Sequence, residues 1–461
     1  MNILVLLIDI ILAIICGLGL LLSLPLFFSF RWPSAGMWIL KVTMSAFSPI
    51  LALLGAITAT AGWITHSLLL TLLGLAVFLM NAVHFYLITQ SPSFDTGFEQ
   101  SFGADWRNKI SPALKAQFLA GRNILRLPVT TTPHLKQNIA FAMVPESGRT
   151  LLCDLWLPAE NVKPSGLAFI YLHGGAFYIL DKDCGTRPFF SHLASQGHVI
   201  MDLAYRLAPE TDILGMVQDT KRAIIWMKNN AREWGVNPDR IIVGGGSAGG
   251  HLALLAAYTW DDPDFTPPEL KGKDLSVSAV ISLYGTCDLQ ALYYHTNQHL
   301  STRGDRGATK MKVPTKMPLW MKKIFGKDYH RLGFDKPFEN TGALAPLLGG
   351  HPDECPDRYA MFSPISHVHA GCPPSLLIHG THDIMAPITA TRQLHQYLLE
   401  KKVPVVFHTL PQTDHAFDLI CPKIAPAAHN AIYDVERFLA IMSSYEVIKK
   451  AADNKQAYII C

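Results

Sequence analysis

The chain has 461 residues, 49% of them hydrophobic and only 16% charged, with a formal net charge of +3. A balance so close to neutral excludes a nucleic-acid partner of the charge-driven kind. The eight cysteines (Cys16, Cys153, Cys184, Cys287, Cys355, Cys372, Cys421 and Cys461) are scattered without metal-ligand spacing and are expected to be free thiols.

The first ninety residues are strongly apolar. From Met1 to Phe30 the only charged side chain is Asp9, and from Val42 to Phe94 there is none. A bilayer-spanning helix needs about 20 apolar residues, and residues 3–28, 43–64 and 68–87 meet that requirement. Pro25, Pro33 and Pro49 are the places where these helices are expected to break or tilt. Met1-Asn2 offers no basic n-region and the apolar run is too long for a signal h-region, so the segment reads as retained. Residues 1–90 are thus expected to form transmembrane helices.

Charge sets the expected orientation. The linker between the first two helices holds Arg31 and Lys41, the next linker holds no Lys or Arg, and Arg107, Lys109 and Lys115 follow the third helix. Two crossings place the first linker and everything after the third helix on one side, and positive charge marks that side as cytoplasmic. The absence of any Asn-x-Ser/Thr acceptor agrees.

Residues 91–135 read as a connecting segment. Ile110, Leu114, Phe118 and Leu119 fall at helical spacing with basic residues between them, which predicts a helix on the domain or near the membrane surface. From 136 to 445, apolar strands alternate with helical patterns, predicting a mostly parallel sheet wrapped by helices. Residues 446–461 are left as a tail.

Motifs that carry chemistry sit at strand ends. The buried strand Leu167-Ala-Phe-Ile-Tyr-Leu172 runs into His173-Gly174-Gly175-Ala176. Glycines let backbone N–H groups approach a developing oxyanion, so Gly174 and Gly175 are the expected donors, joined by Ala248. His173 is expected to fix that loop. Further on, Arg240-Ile-Ile-Val-Gly-Gly245-Gly246-Ser247-Ala248-Gly249 reads as strand, sharp turn and helix, with Ser247 exposed at the apex. Gly245, Gly246 and Gly249 are the small neighbours that such a turn needs.

The strand ending at Gly285 is followed by about eighty residues before the next strand, so residues 286–370 are expected to form a cap. Within it, residues 310–327 carry six lysines beside Met311, Trp320, Met321, Ile324 and Phe325. A basic, aromatic-bearing stretch of this kind suits an anionic membrane surface as well as an ordinary solvated lid. Strand Pro374-Ser-Leu-Leu-Ile-His-Gly380 then leads to Asp383, and strand Pro404-Val-Val-Phe-His-Thr-Leu410 leads to His415. The order serine, acid, histidine is that of an α/β-hydrolase triad. His415 is the expected base and Asp383 the expected acid. His408 lies inside a strand, His382 abuts the acid, and Asp414 is adjacent in sequence to the base, which makes each a weaker choice.

Taken together, His173-Gly-Gly-Ala, Tyr205-Arg-Leu-Ala-Pro-Glu210, Ser247-Ala-Gly-Gly250 and the Asp383/His415 pair resemble the hormone-sensitive-lipase-like branch of the α/β-hydrolases, from about residue 151 to 442. Two features differ from that branch. Gly246 stands where it usually has an aspartate, and His379-Gly-Thr-His-Asp383 looks more like feruloyl-esterase-like and peptidase-like relatives. The resemblance implies ester hydrolysis through an acyl-serine, without metal or organic cofactor. With a membrane anchor, the expected substrate is an apolar or lipid-like ester, such as a prenylcysteine methyl ester, an acylglycerol or a sterol ester, with acetylated small molecules also open. Amide hydrolysis or acyl transfer would use the same residues, and a non-catalytic membrane scaffold is the alternative of another kind.

Overall fold

The computed structural model describes residues 3–29, 35–90, 94–122, 124–301 and 344–459. The basic stretch 310–327 lies outside the described residues.

Three long apolar helices come first: α1 (Ile3–Ser23), α2 (Ala35–Ile64) and α3 (Leu68–Thr89). All three are long and apolar enough to cross a membrane. The first breaks into a 3-10 turn at Leu24–Phe27, where Pro25 sits, whereas Pro49 is carried inside α2. Helix α2 also starts earlier than the sequence suggests, so Lys41 is inside it and not in a linker. Close approach of α2 and α3 depends on glycine. A Cβ on Gly55 would lie 2.4 Å from Phe78 N, and one on Gly74 would lie 2.3 Å from Ala59 N. Small residues at such crossings let apolar helices pack without a hydrophobic driving force. Polar side chains between the helices satisfy one another: Cys16 Sγ donates to Thr58 Oγ1 (3.1 Å), and Ser23 Oγ donates to Asn81 Oδ1 (3.3 Å). Leu21, Leu53, Trp63, Leu68 and Leu69 point outward and are exposed.

Between these helices and the sheet lie α4 (Phe94–Phe102), a 3-10 turn (Trp106–Lys109) and the single-turn α5 (Pro112–Lys115). The expected longer helix over 110–119 does not form. Ser111 caps α5 and Pro112 opens it, and Ile110 and Leu119 are buried one at a time against the domain instead of along a helical stripe.

The sheet has eight strands: β1 (His134–Met143), β2 (Thr150–Leu157), β3 (Ala168–Leu172), β4 (Val199–Ala204), β5 (Ile241–Gly246), β6 (Ala279–Leu283), β7 (Ser375–Gly380) and β8 (Val405–Leu410). Their order is β1-β2-β4-β3-β5-β6-β7-β8. Strands β1 and β2 pair antiparallel at one edge and all other pairings beyond β4 are parallel. Strands β3, β5, β6 and β7 are buried at every residue, as parallel strands covered on both faces must be.

Side-chain alternation divides the interior. Ile170, Leu172 and Val243 face one core together with helices α7 (Ile213–Asn230), α8 (Ala248–Tyr258) and α12 (Ile388–Glu400). Phe169, Tyr171 and Ile242 face the other, with α6 (Arg187–Ser195) and α13 (Pro426–Ile459). Among the described residues, helices α9 (Leu289–Ser301), α10 (Leu344–Leu348) and α11 (Pro356–Met361) lie between β6 and β7, within the expected cap region. This doubly covered, mostly parallel sheet is the α/β-hydrolase architecture that the motifs implied. The seven cysteines among the described residues are free thiols.

Candidate active site

Chain order β3-β4-β5 against spatial order β4-β3-β5 means that connections leave β3 and β5 in opposite directions, which opens a crevice at their carboxyl ends. Register then decides what meets there. Leu172 pairs with Gly245, so the loop at His173 and the turn at Ser247 emerge side by side. Likewise Gly380 pairs with Leu410, which sets the loops after β7 and β8 together.

At the end of β5, Ser247 has φ 55° and ψ −122°, a conformation that L residues rarely adopt. Its neighbours are tightly constrained. A Cβ on Gly245 would lie 2.2 Å from Leu172 O, and one on Gly249 2.0 Å from the same oxygen. The Ser247 hydroxyl lies 2.8 Å from His415 Nε2, and His415 Nδ1 donates to Asp383 Oδ2 at 2.7 Å. The other carboxylate oxygen of Asp383 accepts the N–H groups of Met385 (2.8 Å) and Ala386 (2.7 Å). Serine, histidine and aspartate from three different loops therefore form one hydrogen-bonded chain.

Electrostatics separate the two ends of that chain. Burial would push Asp383 up, but the charge of His415 and hydrogen bonds from His379 and His415 hold its carboxyl well below the usual range. Burial pulls His415 down, yet the charge and hydrogen bond of Asp383, with Asp414 and Asp418 nearby, raise it above an ordinary histidine. His379 touches Asp383 at 3.2 Å and is itself held by Thr391 (2.9 Å). His382 faces elsewhere, and burial and the charge of Lys41 push it down to about 4. His408 pairs with Asp434 inside the domain, away from the serine.

Beside the serine, the glycine loop after β3 comes close. A Cβ on Gly174 would lie 3.2 Å from Ser247 Cβ, and Gly175 takes φ 115°, which favours glycine. His173 stacks on Tyr205 with ring centroids 4.5 Å apart, its Nδ1 donates to Gly174 O (2.7 Å), and Tyr205 Oη donates to His173 O (2.8 Å). Burial keeps His173 below its ordinary pKa despite that bond. Tyr205 is fixed in turn by the sequence around it, where Arg206 grips Asp219 (2.8 Å) and Asp219 also pairs with Arg222 (3.0 Å).

Several residues at the site escaped the sequence reading. Tyr284, immediately after β6, packs edge-on against His415 with centroids 4.7 Å apart and hydrogen-bonds Asp418. It explains Gly246, because a Cβ there would lie 2.6 Å from Tyr284 Oη and 3.0 Å from its ring. Its position at a strand's carboxyl end was the available signal. Lys41 and Trp38 of α2 also reach the loop of His415, and a cation in an otherwise apolar helix was the signal there.

A model of the BD-FAE family matches residues 153–322 and 330–398. Among curated proteins, the "Probable carboxylic ester hydrolase LipM" of Mycobacterium tuberculosis is 32% identical over 297 residues, covering 64% of this chain and 59% of that protein. "Esterase LipQ" of the same organism is 28% identical over 341 residues, covering 72% of this chain and 71% of that protein. The chain thus spans about three-fifths of the length of the first of these relatives. Among solved structures, Thermogutta terrifontis esterase 2 phosphoramylated by tabun is 21% identical, with a TM-score of 0.47, covering 68% of this chain and 95% of that one. With more than half of its residues matched, the chain belongs to the BD-FAE family of α/β-hydrolases.

Proposed function

We propose that the chain is a membrane-anchored serine carboxylesterase that cleaves an apolar or lipid-like ester. Ser247 Oγ attacks the ester carbonyl while its proton passes to His415 Nε2, and Asp383 holds the resulting imidazolium in place. The backbone N–H groups of Gly174, Gly175 and Ala248 take the oxyanion of the tetrahedral intermediate. His415 then returns the proton to the departing alcohol, leaving an acyl-serine. Water repeats the sequence and releases the acid and free Ser247. The carrying observation is the unbroken hydrogen-bonded chain Ser247–His415–Asp383, at 2.8 and 2.7 Å.

Support for the anchor comes from three apolar helices whose outward faces expose Leu, Ile and Trp side chains. Trp38 near the start of α2 and His84 near the end of α3 both reach the loop after β8. These contacts support a reading in which those helix ends and the catalytic domain share one side of the membrane, and the basic residues Arg107 and Lys109 favour the cytoplasm for that side.

Fluorophosphonate labelling of the detergent-solubilised chain, wild type beside Ser247→Ala, tests the reading. Labelling of the wild type and none of the variant is expected, with activity on an ester series rising with acyl length. A folded wild type that stays unlabelled would leave a scaffold, and the esterase reading would be withdrawn.

A further inference from the structure

We infer that the membrane helices complete the catalytic apparatus: Lys41 and Trp38 of α2 are positioning residues that hold the His415 loop in register with Asp383 and Ser247. The inference rests on the esterase reading and adds residues to it. Lys41 and Trp38 are three apart, so they lie on one face of α2. Lys41 Nζ pairs with Asp414 Oδ2 at 2.9 Å, with only 1% of either side chain exposed. The other oxygen of Asp414 accepts the N–H of Ile384 (3.1 Å) and that of His415 (2.8 Å). One carboxylate therefore ties the loop of the acid to the loop of the base, and a membrane-helix cation neutralises it. One residue further, Trp38 Nε1 donates to the carbonyl oxygen of His415 itself, at 2.7 Å.

Helix α3 adds a third tie. His84 pairs with Gln412 Oε1 (3.0 Å) on one side and with Ser45 of α2 (3.0 Å) on the other. Gln412 N in turn donates to Thr381 Oγ1 (2.9 Å), again bridging the loops after β8 and β7. Gln412, Asp414 and His415 are thus each held from the helical bundle. An apolar helix bears the desolvation of a lysine only where a partner is fixed. Here the partner is a residue whose backbone neighbour is the catalytic base. The charged and titratable groups around His415 are Asp383, Asp414, Asp418 and Tyr284, with His379 behind Asp383 and Lys41 and His382 behind Asp414.

The test uses the full chain in lipid vesicles, with active sites counted by fluorophosphonate titration and turnover of a water-soluble short-chain ester expressed per titrated site. Trp38→Phe keeps an aromatic ring but removes the N–H donor and part of the indole, and Lys41→Met keeps an unbranched chain of similar length but removes the charged donor. Both are expected to lower kcat per site by about tenfold or more with KM little changed, as misplacement of a catalytic group does. Lys41→Arg is expected to restore most of the loss. Trp38→Phe decides the matter should Lys41→Met fail to accumulate. Per-site kcat within twofold of wild type in Trp38→Phe, or in a folded Lys41→Met, overturns the inference while leaving the esterase reading intact. A wild type without titratable serine removes both.

Discussion

In the proposed mechanism the proton acceptor, His415, works only when neutral, and its surroundings favour the charged form. Burial acts against protonation of His415, but Asp383, Asp414 and Asp418 outweigh it and raise its pKa. Below that raised value His415 is already protonated and cannot take the proton of Ser247. The acid limb of kcat/KM is therefore expected above the ordinary histidine value of about 6.5. In Asp383→Asn the main raising influence is gone, so the limb should move to lower pH while the maximum rate falls by several orders of magnitude, on the order of 10⁴ in a related triad. A pH–rate profile of both chains checks this, and a limb that stays put would assign it to another group. At the same scale, Gly246 illustrates a replacement that the sequence shows but cannot explain. The place that an aspartate side chain would need is filled by Tyr284, which contacts His415 from β6.

At the scale of elements, what could be read from the sequence was local and periodic. Strand runs such as Ala168–Leu172 and Ile241–Gly246 are short and continuously apolar because both faces are covered, and the glycine turns after them are visible as spelling. Ser247, Asp383 and His415 stood out because each falls just past a strand end, although β8, before His415, is an edge strand of the sheet and only partly covered at Phe407 and Thr409. Lys41 stood out only as a cation in an apolar stretch; its partner, Asp414, lies in a distant part of the chain, and the local sequence does not say which residue it pairs with. The run from Ile110 to Leu119 misled for the opposite reason: its spacing is helical, but Pro112 starts a new turn and each apolar residue finds its own place on the domain. The α2–α3 pair makes the packing argument testable. Gly74→Val would drive side-chain carbon into the backbone at Ala59, so a destabilisation of at least about 1–3 kcal/mol is expected. Thermal unfolding in detergent reads it. An unchanged midpoint would mean that the helices part at no cost.

For the molecule as a whole, the division into an apolar helical part and a sheet domain describes composition better than mechanics. The two are joined by a buried ion pair, an indole-to-carbonyl bond and a histidine–glutamine contact, all converging on the loop after β8. The serine lies on the opposite side of that loop's imidazole. Backbone at Ser247 sits at φ 55°, where side chains other than hydrogen are disfavoured. A glycine in its place would relieve that strain at the cost of the serine's hydrogen bond. Such a position costs about 1–3 kcal/mol, against about 0.5–1.5 kcal/mol for the hydrogen bond to His415 and a smaller entropic penalty for glycine in the unfolded chain. Ser247→Gly should be inactive yet melt slightly higher, by roughly 1 °C, and a lower Tm would show the turn to be relaxed. A dead chain more robust than the living one would also be the form in which to hold an intact ester for crystallisation.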